Sequence, residues 1–189
     1  HGLAKLGAPV GYIGVIGEDE LGGFFVQDMI NAGVEPHMIH SRQETGRAVA
    51  LVTPDSERTF ATFLGAAVDL REEDISSDIY TGYDYLYMEG YLVQNHGLFT
   101  KALRLAKTHK LKVALDMASY NVVRDNRDFL YRSISDYVDT VLANETEARS
   151  LTGKVPEEAV IEIAGITDIA VVKLGKEGSI VKRKGEEHR

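Results

Sequence analysis

Strand-like and helix-like segments alternate along most of this chain, and that alternation restricts the fold more than any single motif. "PVGYIGVIG" (9–17) is β-rich and punctuated by glycine; "DELGGFFVQDMINAGV" (19–34) then has the apolar spacing of an amphipathic helix ending at Gly33. The same succession recurs in "YDYLYMEG" (83–90) and the helix "NHGLFTKALRLAKTHK" (95–110). "KVALDMA" (112–118) follows, with helical turns through Phe129 to Ile134, then "YVDTVLA" (137–143) and a helix over 145–152. A helix around 157–164 leads into "DIAVVKLG" (168–175). Apolar strands separated by helices predict βαβ units and a mostly parallel sheet covered on both faces. The expected fold class is α/β, a three-layer α/β/α sandwich.

Residues 36–64 break this rhythm. They carry no helix signal, yet "GRAVALVT" and "RTFATFLG" flank Pro54-Asp55-Ser56-Glu57, where proline presets the backbone of a turn. The pattern predicts an antiparallel hairpin, a small β lid over 36–64 set into an α/β core of 1–35 and 65–189. Its side chains are small or apolar on both faces, which fits a cover over a site or pairing with another subunit. An edge hairpin packed on its own domain fits equally. The opening "HGLAKLG" reads as the last turns of a helix closed by Gly7, and "GSIVKRKGEEHR" as a strand and turn. A core incomplete at both termini is therefore expected.

Composition narrows the function. A length of 189 residues fits one domain, and 44 % hydrophobic residues suffice for a sizeable core. A net charge of −8 leaves no excess of lysine and arginine to neutralise a nucleic-acid backbone. It still permits a small anionic ligand held by local dipoles. With no cysteine, disulfides and thiolate metal sites are excluded, which suits a reducing cytoplasm. No apolar run approaches the roughly 18 residues of a membrane span. No charged-then-apolar leader opens the chain. The expectation is a cytoplasmic protein without nucleic-acid or membrane partners.

Several stretches could carry chemistry. "GVIGEDELGG" (14–23) lacks both the dinucleotide fingerprint and the phosphate-loop lysine, so Asp19 reads as a helix cap. Asp116 in "LDMASYN", and Glu89 with Gly90 after "YDYLYM", stand at the carboxyl ends of expected parallel strands, where ligands of open α/β sheets bind. They are candidate substrate contacts, although acids at strand ends also serve as helix caps. Asn144 ends another strand and Glu147 lies three residues on, the spacing of a capping box. The same carboxylate and amide oxygen could serve a magnesium–phosphate site if Asn144 caps while Glu147 points outward. "VVKLGKEGSIV" (171–181) sets Lys173 beside Gly175 and Gly178, a plain hairpin turn or a close approach to phosphates. His1, His37, His40, His96, His109 and His188 show no metal-ligand spacing, and no Ser/His/Asp set is apparent.

In this order the stretches resemble the ribokinase-like (PfkB) carbohydrate kinases over nearly the whole chain. "GVIGEDELG" followed by "NAGV" is similar to that family's glycine–acidic segment, and "TGRAVALVTPDSERTF" to its lid region. "LDMASYNVV", "ANETE" and "VVKLGKEGSIV" fall where it has a strand-end aspartate, an N-x-x-E motif and a nucleotide-binding glycine turn. "MEGYLV" and "LDMASYN" lean toward its adenosine-kinase-like branch. The resemblance implies ATP-dependent phosphorylation of a hydroxyl on a sugar or nucleoside. Asn144 and Glu147 would place Mg2+ and the phosphates, and Lys173, Gly175 and Gly178 would border the nucleotide. The lid would exclude water, and lid-to-lid homodimers are an expectation. The family's G-A-G-D segment, which carries the catalytic base, is expected beyond Arg189. "GAAVD" at 65–69 is rejected for that role because no helix pattern follows it. Two rivals remain: a non-catalytic sugar- or nucleotide-binding domain, and a Rossmann-type oxidoreductase, disfavoured by the missing glycine fingerprint.

Overall fold

The computed structural model describes residues 1–55 and 58–186. It divides into two compact units, His1–Asp74 and Ile75–Arg189. In the first, a single turn α1 (Gly2–Lys5) precedes strand β1 (Val10–Gly17), helix α2 (Glu20–Asn31) and strand β2 (Val34–Ser41). The two strands pair in parallel along their whole length, Val10 opposite Val34 through Gly17 opposite Ser41. Gly33, at φ +83°, supplies the left-handed turn that lets the chain leave α2 and enter β2 at once. Asp19 caps α2 as expected, accepting from the Gly22 N–H at 2.8 Å.

The same carboxylate anchors the segment after β2. It accepts from the Thr45 N–H at 2.7 Å and the Thr45 hydroxyl at 2.6 Å, while Thr45 Oγ1 accepts from the Gly17 N–H at 3.0 Å. A Cβ on Gly17 would lie 2.7 Å from the Thr45 nitrogen, so the close approach requires glycine there. From this anchor strands β3 (Arg47–Val52) and β4 (Arg58–Phe63) run as an antiparallel pair with Arg47 opposite Phe63. Every side chain described in the pair is exposed, with Val49, Leu51 and Phe63 on one face and Val52 and Phe60 on the other. The antiparallel pair occupies 47–63, while 36–41 continues β2 beside β1. Ser56 and Glu57, in the expected turn, lie outside the described residues. "GAAVD" is a five-residue 3-10 turn, Gly65–Asp69.

The second unit is a five-stranded sheet in the order β5-β6-β7-β8-β9. Its strands are Tyr85–Glu89, Lys112–Asp116, Thr140–Asn144, Ile169–Lys173 and Ser179–Arg183. The first four are parallel and β9 is antiparallel to β8. Helices α3 (His96–Thr108), α4 (Tyr120–Asp125), α5 (Arg127–Tyr137), α6 (Glu145–Thr152) and α7 (Pro156–Ile166) make the crossovers. The sequence reading began the third of these strands at Tyr137. Instead α5 keeps that residue, its last turn closing with the Val138 N–H on the Ile134 carbonyl at 3.0 Å.

Each crossover steps the same way along the sheet, and crossovers are right-handed, so the helices gather on one face. The helices pack on one another accordingly, α3 on α5, α4 on α6 and α6 on α7. Val113, Leu115, Val141, Ala143, Ala170 and Val172 are buried on that face, as are Phe99, Leu103, Leu130, Ile134, Leu151 and Ile163 of the helices. The alternate strand residues on the other face are half-buried or exposed. Among the described residues this unit therefore supplies one helical layer of the α/β/α sandwich.

A charge network closes the amino-terminal ends of the strands. Asp139 accepts from Lys112 Nζ at 2.7 Å, Lys107 Nζ at 2.9 Å and the Val113 N–H at 2.8 Å. Burial alone would raise this carboxyl, but the three donors outweigh it and hold the group below its ordinary value of 3.8. The stabilisation is therefore complete above that value and is lost as the pH falls below it. Asp139→Asn should cost about 2 kcal/mol at neutral pH by loosening a part-buried donor set. Urea melts at a series of pH values should show the deficit shrinking in acid; a deficit independent of pH would refute the assignment.

Candidate functional site

Parallel pairing aligns the carboxyl ends of β5 to β8, and the period of two along each strand puts Glu89, Asp116, Asn144 and Lys173 on the face opposite the helices. Glu89 pairs with Asp116 across β5 and β6, and Asn144 with Lys173 across β7 and β8. Lys173 leans diagonally over the end of β7 to Asp116, with Nζ 2.9 Å from Oδ2. The side chains are 44 % and 21 % exposed. An ion pair this open contributes about 0–1 kcal/mol to stability.

Asp116 is held from the other side as well. Its Oδ1 accepts from the Ala118 N–H at 3.1 Å. Ala118 has φ +62°, a left-handed conformation that a residue with a Cβ adopts at some cost. Gly90 makes room for this bend, since a Cβ there would lie 2.6 Å from the Met117 carbonyl oxygen. The Tyr91 hydroxyl reaches the Ala118 carbonyl at 3.4 Å.

Asn144 and Glu147 form a complete capping box at the start of α6. Asn144 Oδ1 accepts from the Glu147 N–H at 2.9 Å, and Glu147 Oε2 accepts from the Asn144 N–H at 2.8 Å. Asn144 Nδ2 also donates to Glu147 Oε1 at 2.7 Å, and the Thr146 hydroxyl to Asn144 Oδ1 at 2.7 Å. The expectation that Glu147 points outward is corrected: the residue is 3 % exposed and folds back onto its cap. The helix start needs its orphan donors satisfied, and the carboxylate does that best from inside. Burial raises the Glu147 carboxyl; the Asn144 N–H opposes, the Asp116 charge adds to the rise, and Lys173 opposes it.

Gly175 and Gly178 form the tight turn between β8 and β9 at φ +56° and +94°. The turn closes with the Leu174 N–H on the Gly178 carbonyl at 2.8 Å. A Cβ at either would meet nothing within 4 Å, so backbone conformation, not crowding, selects glycine. The structure thus gathers Asp116, Asn144, Glu147 and Lys173, with Glu89 in the same row of strand ends and the glycine turn directly after β8.

Tyr87 was overlooked in the sequence. It lies on the same face as Glu89, and its hydroxyl is pushed up by burial and by the charges of Asp116 and Glu89. The two-residue strand period was the signal that could have found it. Nothing in the sequence marks the left-handed Ala118. Among the described residues no group of three or more histidine, aspartate or glutamate side chains is placed to hold a metal unaided.

The carboxyl ends of the parallel strands thus carry a net-acidic rim with one extended cation beside a glycine turn, at the edge where ligands of open α/β sheets bind. The family pattern described as pfkB family carbohydrate kinase matches residues 1–189, and the chain belongs to that family. It is 31 % identical to guanosine-inosine kinase of Escherichia coli (strain K12) over 115 residues, 58 % of this chain and 26 % of the relative. It is 28 % identical to ribokinase of Haemophilus influenzae over 202 aligned positions, 97 % of this chain and 60 % of that protein. The crystal structure of adenosine kinase from Sinorhizobium meliloti superposes with a TM-score of 0.90 at 31 % identity, covering 100 % of this chain and 60 % of that one. The chain therefore spans less than two thirds of these proteins.

Because Glu147 is buried and raised, ionising it at neutral pH works against folding. Its protonated form is favoured in the native state, so that contribution is present in acid and lost as the pH rises through the native value. Glu147→Gln removes the charge and keeps one of the two bonds accepted from Asn144, a loss that is the same at every pH. Its stability relative to the parent should improve steadily from pH 4 to pH 7 in thermal melts; a constant difference would show that burial leaves this carboxyl unperturbed.

Proposed function

We propose that the whole protein is an ATP-dependent kinase that phosphorylates a hydroxyl of a sugar or nucleoside, working with Mg2+ in the cytoplasm. The observation that carries this is the aligned set of strand ends, Asp116, Asn144–Glu147 and Lys173, followed by the Gly175–Gly178 turn, in a chain of the pfkB family. Phosphoryl transfer depends on positioning and charge neutralisation more than on covalent help from protein. Rigid strand ends and a close-approach turn provide the first, and Lys173 part of the second.

Mg2+ keeps several waters and needs only one or two protein carboxylates when phosphates share it. Both Glu147 oxygens already accept from Asn144 inside the cap, so the residues present fit a hydrated ion held through its waters and not direct coordination by this carboxylate. Glu147 and Asn144 are the groups that would hold it through water, and the ion would neutralise phosphate charge there. Lys173, Gly175 and Gly178 are assigned to the nucleotide, and Glu89, Gly90 and Asp116 to the rim facing the acceptor. The β3–β4 pair, apolar on both faces, is assigned as a lid that also pairs with a second copy. An isolated two-stranded ribbon of this composition is marginal in water, which supports such a cover or partner.

ADP release from ATP, assayed on the full-length protein with a panel of sugars and nucleosides, should require Mg2+ and one class of acceptor. Glu147→Gln should raise the Mg2+ concentration for half-maximal rate severalfold. A folded protein that turns over no member of the panel would overturn the kinase reading, and nucleotide binding without turnover would leave a non-catalytic binding domain.

A further inference from the structure

The Asp116–Lys173 pair links β6 to β8 across the end of β7, between strands that are not neighbours in the sheet. Backbone pairing through β7 already fixes those strands, so the ion pair adds no register. Its exposure also makes it a poor stabilising element. Yet Asp116 is built with care: the left-handed Ala118 turns an N–H onto Oδ1, and Gly90 clears space for that bend. This leaves Oδ2 facing Lys173, the only lysine or arginine among the strand-end residues Glu89, Asp116, Asn144 and Lys173.

We propose that Asp116 is a positioning residue that holds Lys173 over the strand ends in the ligand-free site, and that Lys173 exchanges this carboxylate for a phosphate of the arriving nucleotide. The inference rests on the nucleotide site described above. Three features favour an exchange over a fixed pair. The Lys173 side chain is nearly half exposed, so an incoming anion can reach it. Lysine is a compact charge on a flexible stem, able to swing between acceptors without the planar matching an arginine needs. Asp116 keeps its bond to the Ala118 N–H whether or not Lys173 is present, so releasing the cation does not orphan the carboxylate. The exchange has a cost, because the ligand must compete with Asp116 for the cation, and the aspartate charge also repels phosphate.

The signs of the two substitutions follow. Lys173→Met removes the cation, while Asp116→Asn frees it and removes a repelling charge. Calorimetric titration of the whole protein with MgADP should show Lys173→Met weakening binding about tenfold and Asp116→Asn strengthening it about threefold, a modest Coulombic change between partly solvated groups. In the Lys173→Met background, Asp116→Asn should lose most of its effect, because the two residues act through one contact. Should Asp116→Asn not fold, Asp116→Ser replaces it. Tightened binding is an outcome that damage to the fold would not produce. Weaker binding in the folded Asp116 variant, or an Asp116 effect that is unchanged without Lys173, would overturn the inference while leaving the kinase reading intact. Absence of MgADP binding by the folded parent would instead overturn the nucleotide site itself, and this inference with it.

Discussion

In-register pairing of four parallel strands is the constraint on which the rest of the second unit depends. Because β5 through β8 run the same way, their carboxyl ends form one edge, and every side chain placed there shares a face with its neighbours. A slip of one residue in any strand would turn its last polar group toward the helices and its buried valine or leucine outward. The register is defended by that same burial. Val113, Leu115, Val141, Ala143, Ala170 and Val172 are almost wholly excluded from water, so the hydrophobic effect that packs the helices also aims Asp116, Asn144 and Lys173. No dedicated contact is needed to bring together residues up to 57 positions apart in sequence.

The two ends of this sheet use charge differently. At the amino-terminal end Asp139 collects two lysines and a backbone N–H, is little exposed, and has its carboxyl lowered. That arrangement is closed: each donor is matched, and the group is satisfied only in the folded state. At the carboxyl-terminal end Glu147 is raised, Tyr87 is raised, and Lys173 stands partly in water. There the charges are close enough to perturb one another without neutralising the set. An end of that kind is costly to maintain unless something outside the chain completes it, which supports the site proposed there.

How much of this could be read in advance differs by level. The alternation of elements was legible because apolar period and turn residues agree, as at Glu145–Thr152, bounded by Asn144 and the left-handed Gly153. The antiparallel pairing of 47–52 with 58–63 was legible from its flanking proline turn. Strand β2 was not separated from the hairpin, because the short loop 42–46 carries no helix or proline signal to announce a change of partner after Ser41. The position of Asp116 at a strand end was legible, while its pairing with Lys173 was not. Nothing local distinguishes a lysine that points to solvent from one that crosses a neighbouring strand. Glu147 shows the opposite failure: the capping box was visible, but its spacing does not say whether the acid turns in or out.

The contrast between two aspartates near the ends of parallel strands shows why burial of partners, more than position, separates a structural acid from one open to a ligand. Asp19, two residues past β1 at the cap of α2, receives the Gly22 N–H, the Thr45 N–H and the Thr45 hydroxyl, and these donors hold its carboxyl below the ordinary range. All of them are fixed by the backbone or buried with it, so nothing is left to offer a ligand. Asp116, the last residue of β6, receives one backbone donor and one lysine on a flexible stem. Removing the lysine leaves Asp116 solvated, whereas removing Thr45 would strand the Gly17 N–H without its acceptor. An acid whose partners are all immobile is part of the frame. One with a single replaceable partner can change that partner when a competing charge arrives, and the second unit carries such an acid at the edge where its parallel strands end.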